Sequence, residues 1–435
     1  MADRDTPASH GDAGAWDGDG PVLDAAERAM LAGADGPAAA LCLRLVVALA
    51  RVRGARRLLP VESAHIDGCL YHGRAGLDFV ERLVELGGAV AVPTTLNVGS
   101  LDLRHPGLVR TDPDTTAAAR RLMAGYTALG CRPTWTCAPY QVGHRPGRGR
   151  HVAWAESNAI VFANSVLGAR TDRYGDFLDI AAAITGRVPA AGLHLDAHRA
   201  ATVRLDLASL PRRMLAEDAV WAALGQLAGR HAGSGVPVLT GAGDGVSEDA
   251  LKAFGAAAAS SGGVGLFHVV GMTPEAPTLA AVGGDTVPVV TVDAAAVRAA
   301  RDELGAAGTG RVDAVSLGTP HFSVTEFERL AGLVEGGGRF AVPVYVSTSR
   351  AVLAAADARG HVEPVRRAGA RIVTDTCTYL TPILEPEVRT VLTNSGKWAW
   401  YAPGNIGVRA VLGSLAECVA SARAGALRRD EALWA

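Results

Sequence analysis

The segment LDFVERLVELGGAVAVPTTLN, residues 77–97, decides the fold class. Its first ten residues place apolar side chains at helical spacing, and the glycine pair that follows would end the helix. The short apolar run at residues 89–92 then predicts a strand, which Pro93 closes before a polar turn at residues 94–97. The segment therefore has the order helix, glycine, strand and polar loop.

The same order recurs along the chain, which indicates an α/β fold with largely parallel sheets. In such folds the loops beyond the carboxyl ends of the strands form the ligand crevice, so we expect one composite active site there. Further helices are predicted at residues 41–52 and 116–129, and further strands at residues 236–240, 287–292, 312–317, 340–346 and 371–374, with Asp293 as a helix N-cap.

Composition limits the possible partners. The 435 residues include 42 Lys and Arg against 44 Asp and Glu, and no dense basic run that would neutralise nucleic-acid phosphates. The most apolar stretch, residues 38–52, is interrupted by Arg44 and Arg51, so we expect neither a membrane span nor a secretory signal. Six scattered cysteines do not resemble a disulfide framework and favour a cytoplasmic setting.

Length and local composition also predict the domain organisation. A chain of 435 residues exceeds what one core needs, so two or three α/β lobes are expected over residues 21–435. Residues 1–20 are rich in Asp and Gly and poor in large apolar side chains, and they are predicted to be a disordered tail.

A dinucleotide site is the main competing motif. Residues 241–245, GAGDG, follow a predicted strand but lack the third glycine of G-x-G-x-x-G, which favours a plain turn. The chain has no P-loop, H-E-x-x-H or C-x-x-C motif, which disfavours phosphate-loop, zincin and dithiol chemistry.

The polar loops resemble successive signatures of the catalytic, large subunit of the aconitase X family. They occur in order from about residue 22 to the C-terminus: SAHIDGCLY (63–71), VPTTLNV (92–98), TCAPY (136–140), ESNA (156–159), NSVLGART (164–171), YGD (174–176), HVVGMTPEA (268–276), LGTPH (317–321), DTC (375–377), TNSGK (393–397) and YAPG (401–404).

This resemblance implies an aconitase-like, multi-lobed fold, an iron-sulfur cluster held by cysteines, and removal of water from a hydroxy acid. Residues 65–69 look most like the bacterial branch that converts cis-3-hydroxy-L-proline to 1-pyrroline-2-carboxylate. The alternatives are a mevalonate 5-phosphate dehydratase, for which no motif supplies a phosphate site, and an inactive substrate-binding paralogue, which the retained Cys137 and Cys377 disfavour.

Cys137 and Cys377 are the preferred cluster ligands, because each lies in a loop that resembles a family motif and follows a predicted strand. Cys418 is the expected third ligand and Cys69 its rival, while Cys42 belongs to the apolar face of a helix. The alternative for each is a buried, inert thiol.

Candidates for catalysis are Lys397, His65 and Ser165. Lys397 could act as a base if desolvation lowered its pKa, or it could be an ion-paired structural lysine. His65, like His321, could transfer protons or order its loop. Arg170 could clamp a substrate carboxylate or cap a helix. Further substrate-binding candidates are Asn158, Asn164, Thr171, Thr94, Thr95 and Asn97.

The family also has a small swivelling domain, fused or separate, which is thought to contribute a serine to the active site. The family-like motifs extend to about Cys418 and leave no room for it, so the resemblance implies a separate small-subunit partner. The catalytic base could lie on that partner, and the isolated chain is then expected to have little or no activity.

Overall fold

The computed structural model describes residues 20–305 and 310–435. All but the last residue of the expected N-terminal tail lies outside these ranges. Each strand of the three larger sheets pairs in parallel with its neighbours, and the chain forms these sheets in three consecutive regions.

The first region contains a three-stranded parallel sheet in the order β3-β2-β4 and an antiparallel pair of β1 with β5. Its elements are α1 (Ala25–Leu31), α2 (Pro37–Val52), β1 (Leu58–Pro60), β2 (Ala64–Ile66), α3 (Arg74–Glu85), β3 (Thr94–Leu96), α4 (Pro113–Ala128), β4 (Ala153–Trp154), α5 (Ser157–Ser165), α6 (Leu178–Thr185) and β5 (Arg187–Pro189).

The second region is a four-stranded parallel sheet in the order β8-β7-β6-β9 with its helices. It comprises β6 (Val203–Asp206), α7 (Arg212–Leu215), α8 (Asp218–Ala232), β7 (Pro237–Thr240), α9 (Glu248–Ser261), β8 (His268–Val269), β9 (Val289–Thr291) and α10 (Ala294–Glu303).

The third region is a five-stranded parallel sheet in the order β12-β11-β10-β13-β14. It comprises β10 (Ala314–Leu317), α11 (Val324–Val334), β11 (Val344–Ser347), α12 (Arg350–Ala358), α13 (Val362–Arg367), β12 (Ala370–Val373), β13 (Thr390–Thr393), α14 (Gly396–Ile406), β14 (Arg409–Leu412) and α15 (Leu415–Ala424).

Helices α8 and α9 pack unusually closely at the centre of the largest hydrophobic core. Gly225 and Gly229 of α8 make this approach possible. A Cβ atom at Gly225 would lie 2.3 Å from the carbonyl oxygen of Phe254, and one at Gly229 would lie 2.0 Å from the hydroxyl of Ser261. Larger residues at these two positions would push the helices apart.

The predicted α/β class with parallel sheets is confirmed, and so is the N-cap of α10, where Asp293 accepts a hydrogen bond of 2.8 Å from the amide of Ala296. The strand predicted at residues 89–92 is wrong. Those residues are partly exposed and form no strand, and the strand begins only after Pro93, at Thr94. Within residues 20–305 and 310–435, no helix is long and apolar enough to cross a membrane.

Candidate active site

A cavity of about 390 Å³ lies between the carboxyl ends of the first and third sheets. β2, β3 and β4 lead into it from one side, and β10, β12 and β13 lead into it from the other. Side chains that follow these strands form much of its wall: Asp67, Asn97, Val98, Glu156, Ser157, Thr319, Cys377, Tyr379 and Lys397, together with Cys137, His72, Arg173, Tyr174 and Tyr401.

Two cysteines and a histidine meet at the base of this cavity. The sulfurs of Cys137 and Cys377 and a ring nitrogen of His321 all lie within 4.8 Å of one another, and all three residues are buried. The amide of His321 donates to Cys137 Sγ at 3.2 Å, and its ring contacts Thr136 Oγ1 at 3.1 Å and the carbonyl of Thr376 at 3.3 Å. His321 therefore bridges the two cysteine loops.

The Cys377 loop is held in a strained conformation. Asp375 adopts a left-handed φ of +64°, which costs free energy for a residue other than glycine. Arg350 stabilises it with a two-point ion pair at 2.7 and 2.6 Å. Asp102 accepts hydrogen bonds from the amide and the hydroxyl of Thr374 at 2.9 and 3.0 Å. The turn that presents Cys377 is thus fixed by side chains from outside it.

The adjacent thiol of Cys137, together with burial, raises the pKa of Cys377 well above its usual range. A thiol pair in such a place needs a nearby cation to become a thiolate pair, and metal ions act in this way. The chemistry of these donors therefore fits a thiophilic metal centre that faces the cavity.

Lys397 and Glu156 form a buried ion pair across the cavity. Lys397 lies in the first turn of α14, while Glu156 is the N-cap of α5 and accepts a hydrogen bond of 2.7 Å from the amide of Ala159. Burial disfavours the charged amine, but the opposing charge of Glu156, with Tyr379 and Cys137, raises the pKa of Lys397 well above its ordinary value. The lowered pKa considered from the sequence is therefore corrected, and the ion-paired lysine is what the structure shows.

Asp67 is a titratable group that was not among the predicted site residues. It follows β2 directly, lines the cavity, and accepts a hydrogen bond from the side-chain amide of Asn97. Burial, together with the carboxylates of Glu156 and Asp176, raises the pKa of Asp67 to about 7. This carboxyl can therefore exchange protons near neutral pH.

Oδ1 of Asn97, a buried atom of the cavity wall, has no hydrogen-bond partner within the described chain. Asn97 is 3% exposed. Buried polar atoms are nearly always paired, so this oxygen is available to a bound molecule.

Among the described residues, Arg173 is the arginine that lines the cavity. Its position is exposed, and its Nη1 donates to the carbonyl of Gly263. Arg170, the arginine expected from the sequence, pairs with Asp196 and donates to the carbonyl of His194 at 3.0 Å, away from the cavity. The expected carboxylate clamp at Arg170 is therefore corrected.

Several other expected site residues act as connections behind the cavity wall. Ser165 Oγ accepts from the amide of Phe267 at 2.8 Å, which ties α5 to the second region. Asn164 donates to the carbonyls of Thr171 and Gly265 at 2.9 and 2.8 Å. Thr171 Oγ1 accepts from the amide of Trp154 at 3.1 Å. These contacts hold the first two regions together.

Asn158 lies next to the cysteine loop. Its side-chain amide donates to the carbonyl of Cys137 at 3.0 Å and to the Tyr140 hydroxyl at 2.9 Å. It therefore supports the loop that carries Cys137.

His65, Thr94 and Thr95 lie within the first sheet. His65 Nδ1 is 2.8 Å from Thr95 Oγ1, and burial, with His144 nearby, lowers the pKa of His65 well below its ordinary value. Thr94 donates to the carbonyl of Val92 at 2.8 Å. Asn97 is the member of this turn that reaches the cavity.

The structure does not bring Cys418 or Cys69 into the group formed by Cys137, His321 and Cys377. Cys418 is buried in the core of the third region on α15, so its expected role as third ligand is corrected. Cys69 donates to the carbonyls of Asn97 and Val98 at 3.3 and 3.5 Å. Cys42 lies in the core of the first region, as expected.

The fold and the site together define an α/β enzyme whose buried cysteine pair opens into a cavity between two parallel sheets. Residues 21–197, 201–302 and 312–424 match the family models described as the first, second and third domains of aconitase X. The chain belongs to the aconitase X family, which confirms the resemblance seen in the sequence motifs.

Named relatives of the chain are dehydratases. It is 44% identical to a cis-3-hydroxy-L-proline dehydratase of Pseudomonas aeruginosa, over 93% of this chain and 70% of that protein. It is 38% identical to a phosphomevalonate dehydratase large subunit of Methanothermobacter thermautotrophicus, over 89% and 96%. The crystal structure of the holo-form of Thermococcus kodakaraensis aconitase X superposes with a TM-score of 0.83 at 34% identity, covering 92% of this chain and all of that one.

Proposed function

We propose that this chain is the catalytic subunit of a hydro-lyase that converts cis-3-hydroxy-L-proline to 1-pyrroline-2-carboxylate. The observation that carries the proposal is the balance of charge in the cavity, where Asp67 and Glu156 lie together with Lys397 and Arg173. A hydroxyproline is a zwitterion, and it presents a cationic ring nitrogen and a carboxylate to such a wall. The 44% identity to the Pseudomonas aeruginosa dehydratase supports the same substrate.

The same charges disfavour the alternative substrate, mevalonate 5-phosphate. A phosphate and a carboxylate together carry about three negative charges near neutral pH. Within the cavity they would face Asp67, which is negatively charged above its pKa of about 7, and Lys397 is already neutralised by Glu156. Like charges in a partly buried site oppose binding. We therefore rank the phosphorylated substrate second.

Arg173 is our candidate for the substrate carboxylate, because it lines the cavity and its guanidinium has donors besides the Nη1 that is bonded to Gly263. The unpaired Oδ1 of Asn97 is suited to accept a hydrogen bond from the ring nitrogen of the substrate. The adjacent carboxyl of Asp67 would take up the proton that leaves carbon, since its pKa of about 7 permits both protonation states. Lys397 would stay charged and hold the carboxylate of Glu156 in place across the cavity.

Cys137 and Cys377 would hold an iron-sulfur cluster, with His321 fixing the loops that carry them. Bound there, an iron with an open coordination position supplies a Lewis acid for the departing hydroxide. The adjacent thiols, their burial and their place at the cavity base support this assignment. The rest of the ligand set, and whether Cys69 belongs to it, stays a prediction.

We also infer a small-subunit partner and a cytoplasmic setting. The name "large subunit" of the Methanothermobacter thermautotrophicus relative, of which this chain covers 96%, supports a partner. Six free, buried cysteines support a reducing compartment. The partner is expected to cover the cavity and to exclude water during the reaction.

The test is an assay of the complex with its small subunit, purified without oxygen, against both substrates. We expect water loss from cis-3-hydroxy-L-proline with kcat/KM at least 100-fold above that for mevalonate 5-phosphate, since mispaired buried charges cost several kcal/mol. As a control, Arg74→Ala, at an exposed arginine outside the cavity, should retain this preference. The reverse preference would overturn the assignment of substrate, and no water loss from either would overturn the proposed reaction.

A further inference from the structure

Three side chains form a line of hydrogen bonds that leads away from the cavity. Tyr174 lines the cavity, and its hydroxyl lies 2.6 Å from Nε2 of His194. Nδ1 of His194 in turn lies 3.0 Å from Nδ1 of His151. Tyr174 and His194 are 7% and 1% exposed, whereas His151 is only half buried. The line therefore connects a residue of the cavity wall with a half-buried histidine.

We propose that Tyr174, His194 and His151 form a proton relay between the cavity and solvent. The inference rests on the proposed dehydratase function, because that reaction removes a proton from carbon in a largely enclosed space. The group that takes this proton must lose it again before the next turnover, and the relay provides a route.

The contact between the two Nδ1 atoms is the feature that suits a relay. In a neutral pair one Nδ1 must donate and the other must accept, so the two imidazoles are of opposite tautomers. If Tyr174 donates to His194, then His194 donates to His151, whose Nε2 carries its proton. If instead His151 donates to His194, then His194 donates to the oxygen of Tyr174. Both arrangements satisfy every hydrogen bond at the same heavy-atom positions.

One proton shift along the line converts the first arrangement into the second. Tyr174 Oη passes its proton to His194 Nε2 and gains one from the cavity. His194 Nδ1 passes its proton to His151 Nδ1, and His151 Nε2 releases its proton to water. One proton enters, one leaves, and no residue keeps a charge. A proton that returns from solvent reverses each step, resets the line and reaches the cavity, where it converts the departing hydroxide to water, so one turnover sends one proton out and takes one back.

The surrounding charges keep both imidazoles neutral, as the relay requires. Burial first, then His151 and the cations of Arg199, Arg170 and Arg53, lower the pKa of His194 to about 3. Burial and the cations of Arg170, Arg199 and Arg57 lower the pKa of His151, against the opposite effect of Glu62. Burial and Asp172 raise the pKa of Tyr174, against Arg53. The three groups can thus pass a proton on without storing it.

Arg170 supports the position of His194 in this line of hydrogen bonds. It donates to the carbonyl of His194 at 3.0 Å and pairs with Asp196, so it fixes the segment that carries His194. We therefore regard Arg170 as a positioning residue for the relay.

The first test is chemical rescue of the intact complex with its small subunit. His194→Asn and the more conservative His151→Gln should each lower kcat for cis-3-hydroxy-L-proline by roughly 10- to 100-fold. Added imidazole should restore most of the loss in both and leave the wild type unchanged. The matched control is His198→Gln, at an exposed histidine outside the line. Unchanged kcat in both relay variants, or a loss that imidazole does not restore, would overturn the relay.

The second test does not depend on turnover, and it therefore separates the relay from the proposed reaction. Imidazole nitrogens of the ¹⁵N-histidine-labelled complex are observed by NMR at pH 7, with His151→Gln and His194→Asn for assignment. We expect both rings to be neutral with averaged tautomers. An imidazolium at either position, or one fixed tautomer at each, would refute the relay even in an active enzyme. Neutral rings with averaged tautomers in a complex that does not dehydrate the substrate would instead refute the proposed reaction.

Discussion

The buried ion pair of Lys397 with Glu156 predicts a large and specific coupling in stability. The two side chains are 6% and 4% exposed, and they join α14 of the third region to α5 of the first. Replacement of Lys397 by Met leaves the carboxylate of Glu156 buried without its partner. Breaking a buried pair in this way costs about 3–5 kcal/mol of unfolding free energy.

The double variant should recover much of this loss. In Lys397→Met with Glu156→Gln, neither charge remains to be solvated, and the Gln can still accept the hydrogen bond from the amide of Ala159. We expect a coupling of roughly 3 kcal/mol between the two sites. The exposed pair of Arg74 with Asp78 is the matched control, and Arg74→Met should leave stability unchanged.

The assay is urea unfolding of the wild type, both single variants and the double variant, followed by tryptophan fluorescence. Trp398, which is fully buried beside Lys397, reports on the region concerned. A coupling below about 0.5 kcal/mol would refute the reasoning, because it would mean that the pair is solvated in the native protein.

Three further results are expected. Arg173→Ala should raise KM for the hydroxy acid roughly 10- to 100-fold through loss of a charged hydrogen bond, while Arg170→Ala should leave KM nearly unchanged in steady-state kinetics. Because the folded-state pKa of Asp67 is raised to about 7, kcat/KM should rise as the pH increases through 7. The stability of the wild type relative to Asp67→Asn should fall as the pH increases from about 4 to 7, since only the unfolded state is then deprotonated at this residue. The same dependence of stability on pH in the two proteins would contradict this. Gly229→Ala should lower stability by about 1–3 kcal/mol in thermal or urea unfolding, because its Cβ would overlap Ser261, and an unchanged midpoint would contradict the close helix packing.

The sequence predicted the parallel sheets because several strands, such as β7, β11 and β14, are short runs with valine that follow a glycine a few residues earlier. The strand at Thr94 was misplaced, since residues 89–92 have the same composition but lie partly exposed, and a sequence pattern does not reveal which run enters the sheet. Cys137 and Cys377 were found from loop motifs, although 240 positions separate them in the chain, and their pairing depends on two sheets that face each other.

Several charged groups of the cavity, in contrast to the two cysteines, were not predicted from the sequence. Asp67 and Glu156 lie in the motifs at residues 63–71 and 156–159. Asp67 follows β2 directly and Glu156 comes two positions after β4, which was the available signal. Arg170 and Arg173 are three residues apart in one segment, and composition alone does not tell which of them points into the cavity. Such choices depend on side-chain direction, which is set by tertiary packing.

The most direct test of the account is iron and sulfide analysis of the complex with its small subunit, purified without oxygen, alongside dehydration of cis-3-hydroxy-L-proline. We expect the wild type to contain iron and sulfide and to turn over, and Cys137→Ala and Cys377→Ala to lose both. Cys42→Ala and Cys418→Ala, at buried thiols in other cores, should retain both. An intact wild-type complex that never binds iron, or Cys137→Ala and Cys377→Ala variants that keep both iron and turnover, would contradict the account.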